Sequence, residues 1–421
     1  MSESAQFQVN TALKGEDVDA INRDFYGRFN YPWLPLILPT APGPAFWPAL
    51  TCQEFGDFSH KTLPPDARIW VAGCGTNQAA LTALRFPGAQ VVGTDVSTRS
   101  LEACQSIIDQ TGIQNLTLEE GSLNEPRHKD AFDYVICTGV IHHNADPGVP
   151  LKTLAGALRP NGVLELMVYN FYHRMHTTAY QKAIRLLGGS PDRPDIRTEL
   201  PLTQDMIAGF SGGSTMQDFL SEQSDLPEAA VADSLLQPVE YSYTIATLNS
   251  LAKSCGLALH HPVINQFDKL SGQISWHTPL PEGVAARYDA LDDLSRWQVT
   301  NLLMLEKSPM LWFYLRKDAR TRQTEAEVNT AFLDSCFTKI HAQSSPFILS
   351  ADSTYQRSGF ASPLPQPPVP QSPAARAVFE ATEPDQPIRT ALARSRIEPA
   401  SLTALRRQLT TPAFPYLMAQ T

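Results

Sequence analysis

Between residues 67 and 170 the apolar positions of this chain follow a regular alternation of short runs and longer amphipathic stretches. Ile69-Trp70-Val71-Ala72 is an unbroken apolar run, the pattern of a strand buried on both faces. Gly73 and Gly75 allow a sharp turn, and Ala79-Ala80-Leu81-Thr82-Ala83-Leu84 continues as a predicted helix over 77–85. A second strand is predicted over 90–94. Ser97 then serves as N-cap for a helix over 98–111 that ends at Gly112. Leu116–Glu119 and Phe132–Cys137 read as third and fourth strands. A helix over 148–158 stops at Arg159-Pro160-Asn161-Gly162, and Val163–Tyr169 reads as a fifth strand. Strands alternating with helices imply right-handed crossovers and a mostly parallel sheet.

The alternation pauses over 171–240, where Tyr180–Leu187 is amphipathic and the rest is polar or helical, the pattern of an inserted cap. It returns with a helix over 243–253, ended by Gly256, and a sixth strand at about 257–265. A second excursion, 268–306, holds a helix near 286–305, and Met310–Arg316 supplies a seventh strand. The expected fold is therefore α/β, a seven-stranded doubly wound and mostly parallel sheet. Four parts are expected: an N-terminal lid segment over 1–60, the sheet domain over 61–343, a linker over 344–373 and a small helical appendage over 374–421. The linker rests on six prolines from Pro363 to Pro373. In the first part Ala20–Tyr26 suits a short helix, whereas Pro32 and Pro35 exclude one around Phe29–Leu36. Its aromatics either close the core or cover the bound ligand through Tyr26 or Tyr31.

Composition narrows the function classes only a little. A net charge of −10 argues against nucleic-acid partners that depend on phosphate contacts, and the appendage is nearly balanced, with six Arg against four acids over 374–421. Six scattered cysteines without a Cys-x-x-Cys pair suit reduced thiols in a cytoplasmic protein and give no metal-ligand spacing. The polar start shows no signal peptide, and no apolar run approaches the roughly 20 residues of a membrane span.

The chemistry lies in the turn after the first strand. Gln78 stands where a dinucleotide site would place its third glycine, which weakens the provision for a pyrophosphate. Asp95 follows Gly75 by twenty residues, at the end of the second strand, and suits a ribose diol. Together these residues resemble the class I S-adenosylmethionine-dependent methyltransferases. Val71–Thr76 resembles the first motif of that family and Gly93–Ser97 its second. Phe132–His143 resembles the fourth-strand motif of its small-molecule branch, and Leu158–Leu164 the turn before its fifth strand. The likeness covers roughly 67–170 closely, and 243–265 with 309–317 more loosely. It departs at Gly121-Ser122-Leu123, where the family often has an acid that accepts from the adenine amino group.

The resemblance implies that Ala72, Gly73, Cys74, Gly75 and Asn77 hold the methionine part of S-adenosylmethionine. It also implies that Asp95 bridges the ribose and that Val96 flanks the adenine, while the departure leaves the adenine edge to Ser122, Leu123, Asn124 or backbone. The backbone around Thr138 and Gly139 would face the amino group of the cofactor. His142 and His143 leave the fourth strand at its C-terminal mouth, and either suits a general base; packing or capping is the other role open to them. Tyr169, Asn170, Tyr172 and His173 leave the fifth strand at the same mouth and are candidates for acceptor contacts. The expected activity is methyl transfer to O or N of a small-molecule acceptor. Protein side-chain methylation and a non-catalytic cofactor-binding module are the alternatives, and a nicotinamide oxidoreductase is the outlying one. No Asn-Pro-Pro-Tyr or Asp-Pro-Pro-Tyr run, the mark of amino-methylating DNA enzymes, follows the fourth strand.

Overall fold

Seven strands form where the apolar runs predict them: β1 (Arg68–Ala72), β2 (Gln90–Asp95), β3 (Leu116–Glu120), β4 (Phe132–Thr138), β5 (Leu158–Val168), β6 (Leu257–Pro262) and β7 (Leu311–Lys317). They make one sheet in the order β3-β2-β1-β4-β5-β7-β6, in which β7 alone runs antiparallel. The computed structural model describes residues 7–8, 15–29, 32–189, 194–263, 276, 278, 280–317, 323–341, 343–363, 371–399, 401–410 and 416–420.

The period of two along each strand sends alternate residues to opposite faces. Ile69, Val71, Tyr134 and Ile136 pack on one side with Ala79, Ala83, Leu101 and Cys104, whereas Trp70, Ala72, Val135 and Cys137 pack on the other with Leu151, Leu154 and Leu248. The helices α1 (Gly15–Arg28) and α2 (Phe46–Glu54) precede the sheet; α3 (Gln78–Arg85), α4 (Thr98–Thr111) and α5 (Gly148–Ala157) join its strands. Ser97 caps α4 by accepting from Ser100 N at 3.2 Å, and Gly112 ends it in the left-handed region at φ +70°. Both devices were legible as single residues.

The first insertion folds as α6 (Met175–Leu187), α7 (Ile196–Gly209), α8 (Thr215–Ser221) and α9 (Glu228–Leu235). Its small core joins Tyr180, Ile184, Leu200, Leu220, Val231 and Leu235 to Phe25 and Phe29 at the end of α1. Two aromatics of the N-terminal segment thus close the cap. After α10 (Ile245–Ser254), the helix expected near 286–305 is two helices, α11 (Glu282–Asp289) and α12 (Asp293–Met304). Asp292 breaks the run because its carboxylate caps α12 by accepting from Ser295 N.

The C-terminal third departs from expectation. Helix α13 (Glu325–Asp334) packs with α14 (Pro373–Ala381), α15 (Ile388–Ser395) and α16 (Leu402–Thr410), sharing a core of Val328, Phe332, Phe337, Val378, Ile388, Leu405 and Leu409. The C-terminal unit therefore includes residues from about 323 onward, and neither 343 nor 374 bounds it. Val328 and Phe332 fall inside the expected 61–343 domain, yet their partners lie some fifty residues or more further on. Nor is 344–363 an extended linker. Phe347–Leu349 pairs with Tyr355–Arg357 and with Ile37–Leu38, and Tyr355 bonds Gln110 of α4 and Pro35 O. Residues 364–370 lie outside the described ones. The unit is also stitched to α2. Gln53, fully buried, donates to Thr410 O (2.9 Å) and Leu417 O (3.2 Å) and accepts from Ala419 N (2.6 Å).

Candidate active site

The turn after β1 is built by two glycines with positive φ, Gly73 at +70° and Gly75 at +53°. Its N–H groups at Gly73 and Cys74 both donate to Thr94 O, at 2.8 and 2.9 Å, which fastens the turn to the end of β2. A Cβ on Gly73 would stand 2.4 Å from Val140 Cγ2 in the loop after β4. Gly73→Ala is therefore expected to add about 1–2 kcal/mol of backbone strain and to displace Val140. Thermal melts should show lower stability, and titration with S-adenosylhomocysteine weaker binding.

Asp95 closes the turn from β2. One carboxylate oxygen accepts from Gly75 N at 2.8 Å and the other from Ser97 N at 2.9 Å. Burial raises its pKa, and the N–H donors of Ser97, Gly75 and Val96 oppose that rise. Each oxygen keeps a second lone pair, so two vicinal hydroxyls still find acceptors there. Cys74 is buried, and burial pushes its thiol well above the ordinary value, which leaves it inert. Asn77 and Gln78 have roles that the motif did not reveal. Asn77 donates to Trp33 O at 2.8 Å, holding the N-terminal segment over the turn, and so does not cap α3. Gln78 donates to Thr138 Oγ1 at 2.6 Å, tying α3 to the end of β4 just before Gly139, whose φ is +78°.

Val96 and Ser122 line a cavity of about 290 Å³ together with Asp19, Ala20, Arg23, Glu120, Glu125 and Arg127. Leu123 is buried in the core below. A larger cleft, about 920 Å³, opens between loop 55–62, β7 and the C-terminal unit, and contains none of the turn residues. A Cβ-excluding cradle, a carboxylate with lone pairs to spare and an adjacent cavity together fit S-adenosylmethionine.

His142 and His143 form a 3-10 turn, Ile141–His143, directly beyond β4, and are 0% and 3% exposed. His143 Nδ1 donates to Val239 O at 2.8 Å, which leaves the lone pair on Nε2. Among the described residues neither ring nitrogen of His142 has a hydrogen-bond partner. Its ring lies 3.9 Å from that of Tyr169 and 4.2 Å from that of His143. Arg174 stands 4.3 Å over the Tyr169 ring and pairs with the buried Glu240.

Burial pushes the His143 imidazole down to about 4, against the Val239 hydrogen bond, and drives His142 well below its ordinary range, helped by the nearby His143 and Arg174. Both are neutral near pH 7. Because the unfolded chain binds these protons first, the stability that neutral His143 supplies is complete above pH 6.5. It is lost as pH falls toward 4, by on the order of 3 kcal/mol. Melts from pH 7.5 to 4.5 should show that loss, and His143→Gln should flatten it.

The remaining candidates divide. Tyr169 sits against His142. Asn170 does not serve there: it is fully buried, its amide donates to Pro309 O (2.7 Å), and its oxygen accepts from Tyr172 N and Asn301 Nδ2. Those four groups anchor β5 to α12. Tyr172 packs on Phe171, and exposed His173 lies beside the backbone of Glu306 and Ser308. Tyr26 accepts from Gln237 of the cap at 3.0 Å and so belongs to the cap interface, while Tyr31 lies outside the described residues.

The turn, the acid and the strand order define the class I S-adenosylmethionine-dependent methyltransferase fold, and the comparisons agree. Residues 70–164 match the family model described as a methyltransferase domain. The chain is 33% identical to the ubiquinone biosynthesis O-methyltransferase of Bradyrhizobium diazoefficiens, over 24% of this chain and 40% of that one. It is 27% identical to the tRNA 5-carboxymethoxyuridine methyltransferase of Escherichia coli O157:H7, over 42% and 73%. PKMT2 from Rickettsia typhi, solved with AdoHcy, superposes with a TM-score of 0.54 at 15% identity, covering 89% of this chain and 73% of that one. The chain spans about half the length of the first curated relatives it matches, 57% and 40%. Residues 70–164 thus match a methyltransferase domain, set in a sheet with the class I methyltransferase fold. With a tRNA enzyme among the relatives, an acidic composition does not exclude a nucleic-acid acceptor. No described helix is long and apolar enough to cross a membrane.

Proposed function

We propose that the chain transfers a methyl group from S-adenosylmethionine to an oxygen or nitrogen of a small-molecule acceptor, in the cytoplasm. The acceptor lies between the ends of β4 and β5 and the α6–α9 cap. His142 carries this proposal. Its two ring nitrogens are buried without partners among the described residues, and an unmet polar group of this kind costs about 1–3 kcal/mol. An acceptor hydroxyl or amine that bonds it recovers that cost. His143, Arg174 and Glu240 around it are all buried, and such an enclosed setting favours a small molecule over a length of polypeptide or nucleic acid. The cytoplasmic placement is supported by six free cysteines, four of them buried.

The bound cofactor supplies a methyl carbon already activated by its sulfonium. The protein then has to align the acceptor atom with that carbon and exclude water. A neutral imidazole at His142 accepts the proton where the acceptor atom carries one. His142→Phe preserves the stacking on Tyr169 and removes both nitrogens. It is expected to lower kcat by about 10²–10⁴-fold with S-adenosylhomocysteine affinity unchanged. The acceptor class is tested by incubating the chain with methyl-labelled S-adenosylmethionine and a cell extract, then separating small molecules, protein and RNA. Label in the small-molecule fraction is the expected result; label confined to protein or RNA overturns the acceptor proposed here.

A further inference from the structure

The loop after β3 has Ser122, and no acid, directly after Gly121, and the structure brings Asp19 to that hydroxyl from 103 residues away. Ser122 Oγ donates to Asp19 Oδ2 of α1 at 2.5 Å. The same Ser122 oxygen accepts from Asn124 N at 3.0 Å, and Asn124 Nδ2 donates to the other oxygen of Asp19 at 3.0 Å. A hydroxyl has one proton and two lone pairs. The proton of Ser122 is committed to Asp19 and one lone pair to Asn124, so the remaining lone pair can only accept.

Helix α1 is held in this position by contacts with two loops at the mouth of the sheet and with α4. Asn22 Nδ2 donates to His143 O (2.8 Å) after β4, and Arg23 Nε donates to Val96 O (3.1 Å) after β2. Arg99, at the start of α4, donates back to Gly27 O at 2.6 Å. Asp19, Arg23, Val96 and Ser122 line the 290 Å³ cavity together with Glu120 and Glu125, whose carboxylates accept from Thr98 Oγ1 (3.0 Å) and Arg127 (3.1 Å). Its size suits a purine, and Val96 offers the ring a flat apolar neighbour.

We propose that Asp19 is a positioning residue for adenine: it orients the Ser122 hydroxyl so that Ser122 accepts from the 6-amino group and repels a 6-oxo group. This inference rests on the cofactor reading above and adds to it a specificity device made from α1. A site arranged as an acceptor rejects a ligand that presents a second acceptor, because two lone pairs then face each other without a proton.

The test is calorimetric titration of the full chain with S-adenosylhomocysteine and with its deaminated analogue, S-inosylhomocysteine. Wild type is expected to prefer the adenine compound by about 10-fold or more, the equivalent of one hydrogen bond. Asp19→Asn offers Ser122 a donor amide, frees the hydroxyl to turn toward a 6-oxo group, and should bring the two affinities within about 3-fold. The exchange Asp19→Ser with Ser122→Asp places the acid directly at the adenine edge and should restore the preference. If Asp19→Asn keeps the wild-type preference, or the exchange fails to restore it, the positioning role is overturned, whatever happens to the melting temperature. If wild type binds neither compound, the cofactor reading itself falls.

Discussion

Asp95→Ala is expected to weaken S-adenosylhomocysteine binding by about 100-fold or more, since two hydrogen bonds from ribose hydroxyls to a carboxylate are worth about 1.5–3 kcal/mol each. The substitution also releases Gly75 N and Ser97 N, which the carboxylate now holds at 2.8 and 2.9 Å. Part of the loss is therefore loss of the shaped turn. Asp95→Asn separates the two contributions. Its one amide oxygen keeps one of the two N–H contacts while its NH2 opposes the other, so it should melt between wild type and Asp95→Ala and bind the cofactor product more weakly than wild type. Calorimetry with S-adenosylhomocysteine checks both variants, and an Asp95→Ala protein that binds within 3-fold of wild type would remove Asp95 from the site.

Glu240→Ala should cost about 3–5 kcal/mol of folding stability, the usual result of stripping one partner from a buried ion pair. Arg174 meets Glu240 as a fork, Nε to one oxygen at 2.8 Å and a terminal nitrogen to the other at 2.6 Å, and Gln181 adds a third donor at 3.1 Å. Burial alone would raise the Glu240 carboxyl; the Arg174 charge and hydrogen bonds reverse that and hold it below its ordinary value. The pair spans the cap, since Arg174 precedes α6 and Glu240 follows α9. Its arginine also donates to Ser234 O at 2.9 Å and covers the ring of Tyr169. Replacing both partners, Arg174→Met with Glu240→Leu, should be much less damaging than Glu240→Ala, because no unpaired charge stays buried. Urea titrations of the three proteins distinguish a pair that stabilises the cap from one that only orients it.

The parts of the fold that were legible are those whose signal is local. The run Ile69–Ala72, the glycines of the turn and the Ser97 and Gly112 caps each act through neighbouring residues, and strand boundaries follow within a few positions. What escaped depends on distant partners. Nothing near Asp19 says that it will meet Ser122, and nothing near Gln78 says that it will bond Thr138. Asn170 has the right residue type at the right mouth, yet Asn301 and Pro309 consume its amide, and neither is recognisable as its partner from spacing alone. The C-terminal unit was misdivided for the same reason. An amphipathic stripe such as Val328/Phe332 shows that a helix packs, but not what it packs against.

The buried amide of Gln53 has a consequence for synthesis. Its partners at Thr410 and Ala419 leave the ribosome 357 to 366 residues after it. At about 5–20 residues per second, that interval is roughly 20–70 s. During it the face of α2 that carries Phe46, Leu50 and Gln53 has no C-terminal unit to cover it. Growing chains are thus exposed to proteases and to chaperones at this helix until the last strand arrives, and a stalled or shortened chain would carry the same open face.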